Sequence, residues 1–253
     1  MSIVVIGDQG VGKTTLMLEL ARPSNGNVQV SYPSFAQLKN DFMINNQIVP
    51  TDNVYNTALK VKVNLPSYFK EFDVNWVDTA GEAWKPYSQW QIDHPSEWAD
   101  TLESLRTSQG LMLIMAPHRS LLREDLLEKS PEQIAINDSR FRTKKQWQER
   151  FKEWIAFFEL NCSKVNQILI CLNMADLFCD IDTTATNLKQ DYLYSNFKWY
   201  NYKEKILLNF FSDVIDIIDK YDYNRHLPIQ LFVTTYRNRT LLEIPWIYLG
   251  GYL

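Results

Sequence analysis

A glycine-rich segment that carries one lysine and two threonines follows a short apolar run near the start of the chain. Its spacing is G-x-x-x-x-G-K-[ST], which is met by Gly7, Gly12, Lys13 and Thr14, with Gly10 as an additional glycine. Glycines accept positive φ and have no Cβ, so this loop can turn its backbone N–H groups inward around phosphate. The lysine can reach the β- and γ-phosphates of a nucleotide, and the threonine hydroxyl can ligate Mg²⁺. These residues therefore predict a phosphate-binding loop.

The elements on either side of the loop are those that a phosphate site requires. An apolar strand is predicted over residues 3–6 and a helix over residues 13–21, which ends before Pro23. The positive end of the helix dipole would face the phosphates. Val11 and Thr15 belong to the same segment, and we expect both to contact the nucleotide. A glycine turn without a ligand is the alternative, but three of the eight glycines in the chain lie in this loop.

A second informative stretch contains two segments in which apolar and polar residues alternate. They cover residues 58–65 and 72–77 and are separated by Pro66, Ser67 and Tyr68, a pattern that predicts an antiparallel hairpin. The second strand ends in the sequence D-T-A-G-E, which begins at Asp78. A carboxylate at the end of a strand can hold the water shell of Mg²⁺. The N–H of the glycine three residues later can contact a γ-phosphate.

The phosphate loop, the hairpin and the D-T-A-G sequence together resemble the Ras-like small GTPase superfamily, of which this chain would be a divergent member with insertions. The resemblance implies an α/β fold of three α/β/α layers, in which a mostly parallel sheet of about six strands has one antiparallel edge hairpin. It also implies a switch region near Thr51, which would ligate Mg²⁺ and sense the γ-phosphate; Thr57 is the competing position. The second switch would run from Gly81 to Trp98.

A guanine-binding loop is implied further along the chain, where a buried strand ends in Asn173-Met174-Ala175-Asp176. The corresponding pattern of the superfamily is N-K-x-D. The carboxylate of Asp176 would accept hydrogen bonds from N1–H and the 2-amino group of guanine, donors that adenine lacks. Asn173 would tie this loop to the phosphate loop, and Met174 replaces the lysine that packs on the purine. Thr235 matches by position the turn that donates a backbone N–H to guanine. The alternative is an ordinary polar turn.

Glu82 departs from the superfamily at the position where many members carry the glutamine that orients the attacking water. A carboxylate close to the γ-phosphate orients water only at an electrostatic cost, so we expect slow hydrolysis. The aromatic residues that follow Glu82 are compatible with a partner surface or with core packing.

The rest of the chain is predicted to form a single domain, residues 1–253, with insertions at 117–145 and 178–202. The first insertion is rich in arginine and lysine, which predicts a solvated helical segment; a contact surface, or an arginine that reaches the phosphates in cis, is the alternative. The second is predicted to be a long loop that leads into a helix over residues 202–221. The C-terminal helix is predicted to be short, at most two turns over residues 239–244, because Pro245 follows.

The composition of the chain and its terminal sequences limit the partners and the cellular location that we expect. A net charge of −4 gives no electrostatic basis for nucleic-acid binding, so no nucleic-acid partner is expected. The chain shows no signal peptide, no lipidation motif and no apolar stretch of membrane-spanning length, so no membrane anchor is expected. The three cysteines follow no metal-ligand spacing and fit a reducing, cytoplasmic location.

The leading hypothesis is therefore a GTPase that acts as a molecular switch in signalling, with GTP or GDP and Mg²⁺ as ligands and a protein effector or regulator at its switch regions. The expected catalytic residues are Lys13, Thr51, Gly81 and Glu82. The expected metal ligands are Thr14, Thr51 and Asp78. The expected nucleotide contacts are Gly10, Val11, Gly12, Lys13, Thr14, Thr15, Asn173, Asp176 and Thr235. The alternatives are a nucleotide-binding scaffold with little hydrolysis and, less favoured, an ATPase or kinase.

Overall fold

The protein is described from a computed structural model over residues 1–45, 47–48, 55–78, 81–84, 88–126, 138, 140–193, 199–225 and 229–253. Its strands are β1 Ser2–Gly7, β2 Val28–Tyr32, β3 Met43–Ile44, β4 Gln47–Ile48, β5 Tyr55–Asn64, β6 Phe69–Asp78, β7 Gly110–Met115, β8 Gln167–Leu172 and β9 Ile229–Val233. Its helices are α1 Lys13–Ala21, α2 Phe35–Phe42, α3 Gln89–Asp93, α4 Pro95–Thr107, α5 Lys144–Asn161, α6 Ile181–Leu193, α7 Trp199–Phe210, α8 Ile215–Arg225 and α9 Arg239–Tyr252.

Seven of these strands form one sheet in the order β2-β5-β6-β1-β7-β8-β9. The five strands from β6 to β9 in this order run parallel, and β5 runs antiparallel to both of its neighbours. The predicted α/β fold class and the antiparallel hairpin are confirmed. One strand more than the expected six is present, because β2 pairs with the outer strand of the hairpin. Strand β2 is short and mostly exposed, so its alternation of apolar and polar residues is too weak to recognise in the sequence.

The parallel strands are buried on both faces, which is why they are continuous apolar runs rather than alternating ones. Every residue of β7 is buried, and so are residues 3–7 of β1. Helices α1 and α9 pack against each other and against the sheet, while α4 and α5 form a second contacting pair. This arrangement brings the carboxyl ends of β1, β6, β7, β8 and β9 to one edge of the sheet, where the loops that carry the polar motifs begin.

Helix α9 is longer than its sequence predicts. It runs for 14 residues and contains Pro245, so the expectation of at most two turns is wrong. A proline inside a helix removes one backbone hydrogen bond and costs about 3 kcal/mol. Residues 241–250 are buried without interruption, and each large apolar side chain that is buried contributes about 1.5–3 kcal/mol. The packing of α9 therefore outweighs the local effect of the proline.

The second predicted insertion is also different from its prediction. Residues 181–193 form α6 rather than a loop, and the helix expected over 202–221 is divided into α7 and α8 by a short 3₁₀ turn at Ser212–Val214. The division follows from packing, because Phe211 and Val214 at the break are both buried in the core. Polar residues at the start of α6 hid its helical character.

Two of the aromatic residues that follow Glu82, Trp84 and Trp98, pack into the protein. The rings of Trp84 and Trp98 contact each other at 5.7 Å, and Trp84 also contacts Trp154 and Phe157 of α5. Core packing, rather than a free partner surface, accounts for these two tryptophans. Within the described ranges, no helix combines the length and the apolar character that a membrane span needs.

Candidate nucleotide-binding site

The phosphate loop connects β1 to α1 as the sequence predicts. Gly10 and Gly12 both have positive φ, at 74° and 86°. At Gly12 a Cβ atom would lie 2.7 Å from Nδ2 of Asn173, so a side chain there would displace the neighbouring loop. The first hydrogen bond of α1 is donated by the Leu16 N–H to the Gly12 carbonyl at 3.0 Å. The two glycines thus allow the loop to reach the helix N-terminus, where backbone N–H groups can bind an anion.

Lys13 is buried at the centre of this loop, with 3% of its surface exposed. Its Nζ donates hydrogen bonds to the carbonyl oxygens of Gly7 at 2.9 Å and Asp8 at 2.8 Å. The same atom lies 3.2 Å from Oδ1 of Asp78. Burial lowers the pKa of the lysine, and the charge of Asp78 offsets part of that effect. These three contacts fix the position of the Lys13 ammonium group within the phosphate loop.

Thr14 and Asp78 meet at the base of the same loop. The threonine hydroxyl donates a hydrogen bond of 2.5 Å to Oδ2 of the carboxylate, across 64 residues of sequence. A hydroxyl and a carboxylate oxygen are ligands that Mg²⁺ prefers, with phosphate oxygens and water completing an octahedron. Among the described residues no group of three or more His, Cys, Asp or Glu forms a metal site by itself. The donor set therefore fits a Mg²⁺ ion that is held jointly with phosphate.

Asn173 joins the loop after β8 to the phosphate loop. Its Nδ2 donates to the Val11 carbonyl at 2.8 Å, and its Oδ1 accepts from the Thr234 hydroxyl at 3.3 Å. The predicted tie between the two loops is confirmed. Met174, the next residue, has a positive φ of 61°, and its Cε lies 3.7 Å from the position that a Cβ of Gly12 would occupy.

Asp176 is held from two sides by residues that follow β9. Thr235 donates a hydrogen bond of 2.5 Å to Oδ1, and Nε of Arg237 lies 3.2 Å from Oδ2. Thr235 is fully buried, so its hydroxyl positions the carboxylate rather than facing a ligand. The residue of this turn that reaches the cavity is Tyr236. Its identity could not be read from the sequence, because the turn matches only by position.

A single cavity of about 540 Å³ brings these side chains together. This volume is typical of ligand sites, which are about 300–1,000 Å³. Its wall includes eight of the predicted site residues, namely Gly10, Gly12, Lys13, Thr14, Thr15, Asp78, Asn173 and Asp176. Arg140, Met174 and Tyr236 also line it. Val11 and Thr235 lie behind the wall, where each contacts a lining residue.

The two predicted switch regions are described only in part. Thr51 lies outside the described residues, as do Thr79 and Ala80 of the D-T-A-G sequence. Thr57 lies within β5, paired with Trp76 of β6. Gly81 and Glu82 begin a 3₁₀ turn over Gly81–Trp84, and the side chain of Glu82 lies outside what is described.

Asp8 is a residue of the phosphate loop that sequence reasoning missed. Its carboxylate is nearly buried and accepts hydrogen bonds of 2.6 Å from Arg150 of α5 and 2.6 Å from Arg142. Burial would raise the pKa of Asp8, but the hydrogen bonds and charges of the two arginines outweigh it and lower the pKa. A signal did exist in the sequence: an acidic residue inside a loop that must hold phosphate requires a cation to neutralise it.

The sheet order and the strand–loop–helix geometry define the class of the fold, a P-loop α/β protein. No family model matches the chain. No curated protein matches it either.

Among solved structures, the chain is similar to two structures of the protein Era. One is a variant of Era from Aquifex aeolicus bound to GDP and tetrafluoroaluminate, at 14% identity and a TM-score of 0.39. The other is Era in complex with MgGDPNP and nucleotides 1506–1542 of 16S ribosomal RNA, at 12% identity and a TM-score of 0.43. Each match covers 100% of this chain and 56% of the Era chain, so this chain spans about half the length of those structures. Likeness at this level concerns the general arrangement of the fold and decides nothing about activity.

The exclusion of a nucleic-acid partner is corrected by the second of these structures, because Era is bound there to ribosomal RNA. The exclusion rested on net charge, which is a sum over the whole surface. A nucleic acid contacts only one patch, and the charge of that patch can differ in sign from the total. A net charge of −4 therefore does not exclude such a partner.

Proposed function

We propose that this protein binds a guanine nucleotide together with Mg²⁺ and hydrolyses GTP slowly. The observation that carries this proposal is the hydrogen bond from Asn173 to the Val11 carbonyl. It joins a loop suited to phosphate and a loop suited to guanine at the same cavity. In the reaction a water oxygen attacks the γ-phosphorus and the bond to the β–γ bridging oxygen breaks. The products are GDP, inorganic phosphate and a proton.

Each side chain has a role that follows from its chemistry. Lys13 would exchange the carbonyls of Gly7 and Asp8 for β- and γ-phosphate oxygens and neutralise their charge. Thr14 and Asp78 would hold Mg²⁺, directly and through water. The carboxylate of Asp176 would read guanine, while Thr235 keeps it oriented. Mg²⁺ supplies charge neutralisation at the phosphates when it is bound.

We further propose that residues 1–253 act as one domain in which Thr51 and Gly81 sense the γ-phosphate and a protein effector or regulator recognises the two switch regions. Ordering of such segments by a γ-phosphate is a common switching mechanism. Placement of the protein in the cytoplasm stays a prediction.

A nucleotide-dependent scaffold with little hydrolysis is the second candidate. The residue that favours it is Glu82, whose negative charge opposes the orientation of water beside a γ-phosphate. Such a protein would bind GTP and GDP at the same site and would differ only in turnover. Single-turnover hydrolysis separates the two candidates, because a phosphate-release rate equal to that of GTP in buffer supports the scaffold.

Base selectivity tests the proposed function. Wild-type protein should bind GTP and GDP at least about 100-fold more tightly than ATP, since a site built to accept hydrogen bonds is left unpaired by a base without the donors. Asp176→Asn should lower GTP affinity by about 100-fold and improve binding of xanthosine triphosphate, because the new amide donates to a carbonyl at position 2. Calorimetric titration measures both, with Asp100→Asn of α4 as an exposed control. Equal affinity for ATP and GTP would contradict the guanine assignment.

Glu82→Gln tests what limits turnover. Removal of one negative charge near the γ-phosphate relieves about 1 kcal/mol or more of repulsion, so we expect single-turnover hydrolysis to become about five- to tenfold faster. Glu71→Gln, which changes an exposed residue of β6, is the matched control and should leave the rate unchanged. An unchanged rate in Glu82→Gln would show that residue 82 does not limit hydrolysis.

A further inference from the structure

The segment that returns from the first insertion to α5 crosses the phosphate loop in a fixed position. Phe141 is buried, and its carbonyl accepts a hydrogen bond of 2.5 Å from Nε of Arg119. The carbonyl of Arg142 accepts from the Arg119 N–H at 3.0 Å. The side chain of Arg142 donates to Asp8 at 2.6 Å. Backbone and side-chain contacts therefore hold this segment against the loop, rather than leaving it in solvent.

Arg140 is placed by these contacts directly over the phosphate loop. A Cβ atom on Gly10 would lie 2.9 Å from Cγ and 3.1 Å from Cδ of Arg140, so the aliphatic stem rests on the glycine. The residue lines the same cavity as Lys13 and Thr14. Phe141, which lies between Arg140 and Arg142, is buried, and its N–H donates to the Asp138 carbonyl at 3.0 Å, so a turn sets the direction of this segment. Arg142 thus binds the phosphate loop through Asp8, and Arg140 lines the cavity.

The guanidinium of Arg140 can exchange its carboxylate partner for a phosphate group. It is paired with Asp138, with Nε 2.7 Å from Oδ2, and about half of the arginine side chain is exposed. The side chain of Asp138 is only 18% exposed, but the arginine side of the pair is open to solvent, so a second anion can reach the guanidinium. A nucleoside triphosphate brings several negative charges into the cavity next to the arginine. The planar guanidinium fits phosphate oxygens as well as carboxylate oxygens, and a triphosphate carries more negative charge than the single carboxylate of Asp138.

We propose that Arg140 leaves Asp138 when GTP binds and donates hydrogen bonds to a γ-phosphate oxygen and the β–γ bridging oxygen. This inference rests on the proposed function of the same cavity. As the bond between the γ-phosphorus and the bridging oxygen breaks, negative charge moves toward the β-phosphate, and the guanidinium stabilises that charge. On this proposal the stabilising arginine is supplied in cis, by the protein's own chain.

The test compares Arg140→Met with Arg123→Met in the full chain. Methionine keeps an unbranched stem on Gly10 and removes the charge. Arg123 is the matched control, because it lies in the same insertion and pairs with Asp125 on an exposed surface, yet it does not line the cavity. Thermal unfolding of both variants should equal that of the wild type, which excludes a folding defect.

Three measurements are expected to separate the variants. Arg140→Met should lower GTP affinity about tenfold while it changes GDP affinity by less than about threefold, since a single exposed phosphate contact contributes about 1 kcal/mol or more. It should abolish the capture of GDP by aluminium fluoride, a mimic of the transferred phosphoryl group. It should slow single-turnover hydrolysis by about 100-fold. Arg140→Lys should recover part of each loss, and Arg123→Met should match the wild type.

The failures of the two proposals are distinguishable. A wild-type protein that binds neither GTP nor GDP overturns the proposed function and this inference together. A wild type that binds GTP selectively and captures GDP with aluminium fluoride, with Arg140→Met unchanged in both measurements, overturns only the role of Arg140. Equal losses of GTP and GDP affinity in Arg140→Met also overturn that role, because they place the side chain away from the γ-phosphate.

Discussion

Replacement of Lys13 by methionine is expected to lower the affinity for GTP by at least about 100-fold, which corresponds to about 2.7 kcal/mol. The reason is its position: Nζ is buried at the wall of the cavity, within 3.2 Å of the Gly7 and Asp8 carbonyls and of Asp78. A triphosphate bound without this ammonium would have no comparable charge at the centre of the loop. Fluorescence titration with a labelled GTP analogue measures the loss.

The control for this experiment is Lys39→Met, which removes an exposed lysine of α2 and should leave affinity unchanged. Thermal unfolding checks that both variants are folded. If Lys13→Met is folded and its GTP affinity is within about threefold of the wild-type value, the loop does not bind the phosphates and the proposed site is contradicted. No other feature of the cavity could restore the assignment, since Asp78 and Thr14 serve a metal that itself needs the phosphates.

The second large effect is expected from Asp8→Ala, and it concerns stability. The substitution leaves the nearly buried guanidinium of Arg150 with Glu153 as its remaining carboxylate, at 2.7 Å but half exposed. Loss of one partner of a buried ion pair costs about 3–5 kcal/mol. We expect the free energy of unfolding, measured by urea titration, to fall by about this amount. Asp73→Ala, at an exposed carboxylate 4.0 Å from Lys60, should cost less than about 0.5 kcal/mol.

The stability difference between wild type and Asp8→Ala is also expected to depend on pH. The pKa of Asp8 in the folded protein is below its unfolded value, so the carboxylate stabilises the fold fully above the unfolded pKa. That stabilisation disappears as the pH falls through the folded pKa. The difference between wild type and Asp8→Ala should therefore be constant near neutral pH and shrink below about pH 4. A difference that stays constant down to the acid unfolding of the wild type would contradict the ion pair.

Short-range features were predictable because the signals that specify them lie within a few residues. The phosphate loop needs glycines at positions where φ is positive, and α1 begins at Lys13 as expected. The apolar runs of the parallel strands are long enough to identify burial on both faces. The link from Asn173 to the phosphate loop was expected because its loop resembles the N-K-x-D pattern of the superfamily.

Features that depend on contacts between distant segments could not be predicted in this way. Helix α9 continues through Pro245 because the core on which it packs outweighs the lost hydrogen bond. The side chain of the fully buried Thr235 donates to Asp176, and Tyr236, one position further, lines the cavity.

By itself, the sequence determined the class of the fold and indicated which residues would form the proposed phosphate, Mg²⁺ and guanine positions. Only the tertiary structure decided that Asp8 is clamped by arginines 134 and 142 residues away, and that Arg140 lies on Gly10. The physical reason is that a glycine, a proline or an apolar run constrains its own backbone locally. A charge does not choose its partner until the chain has folded and water has been removed from around both groups.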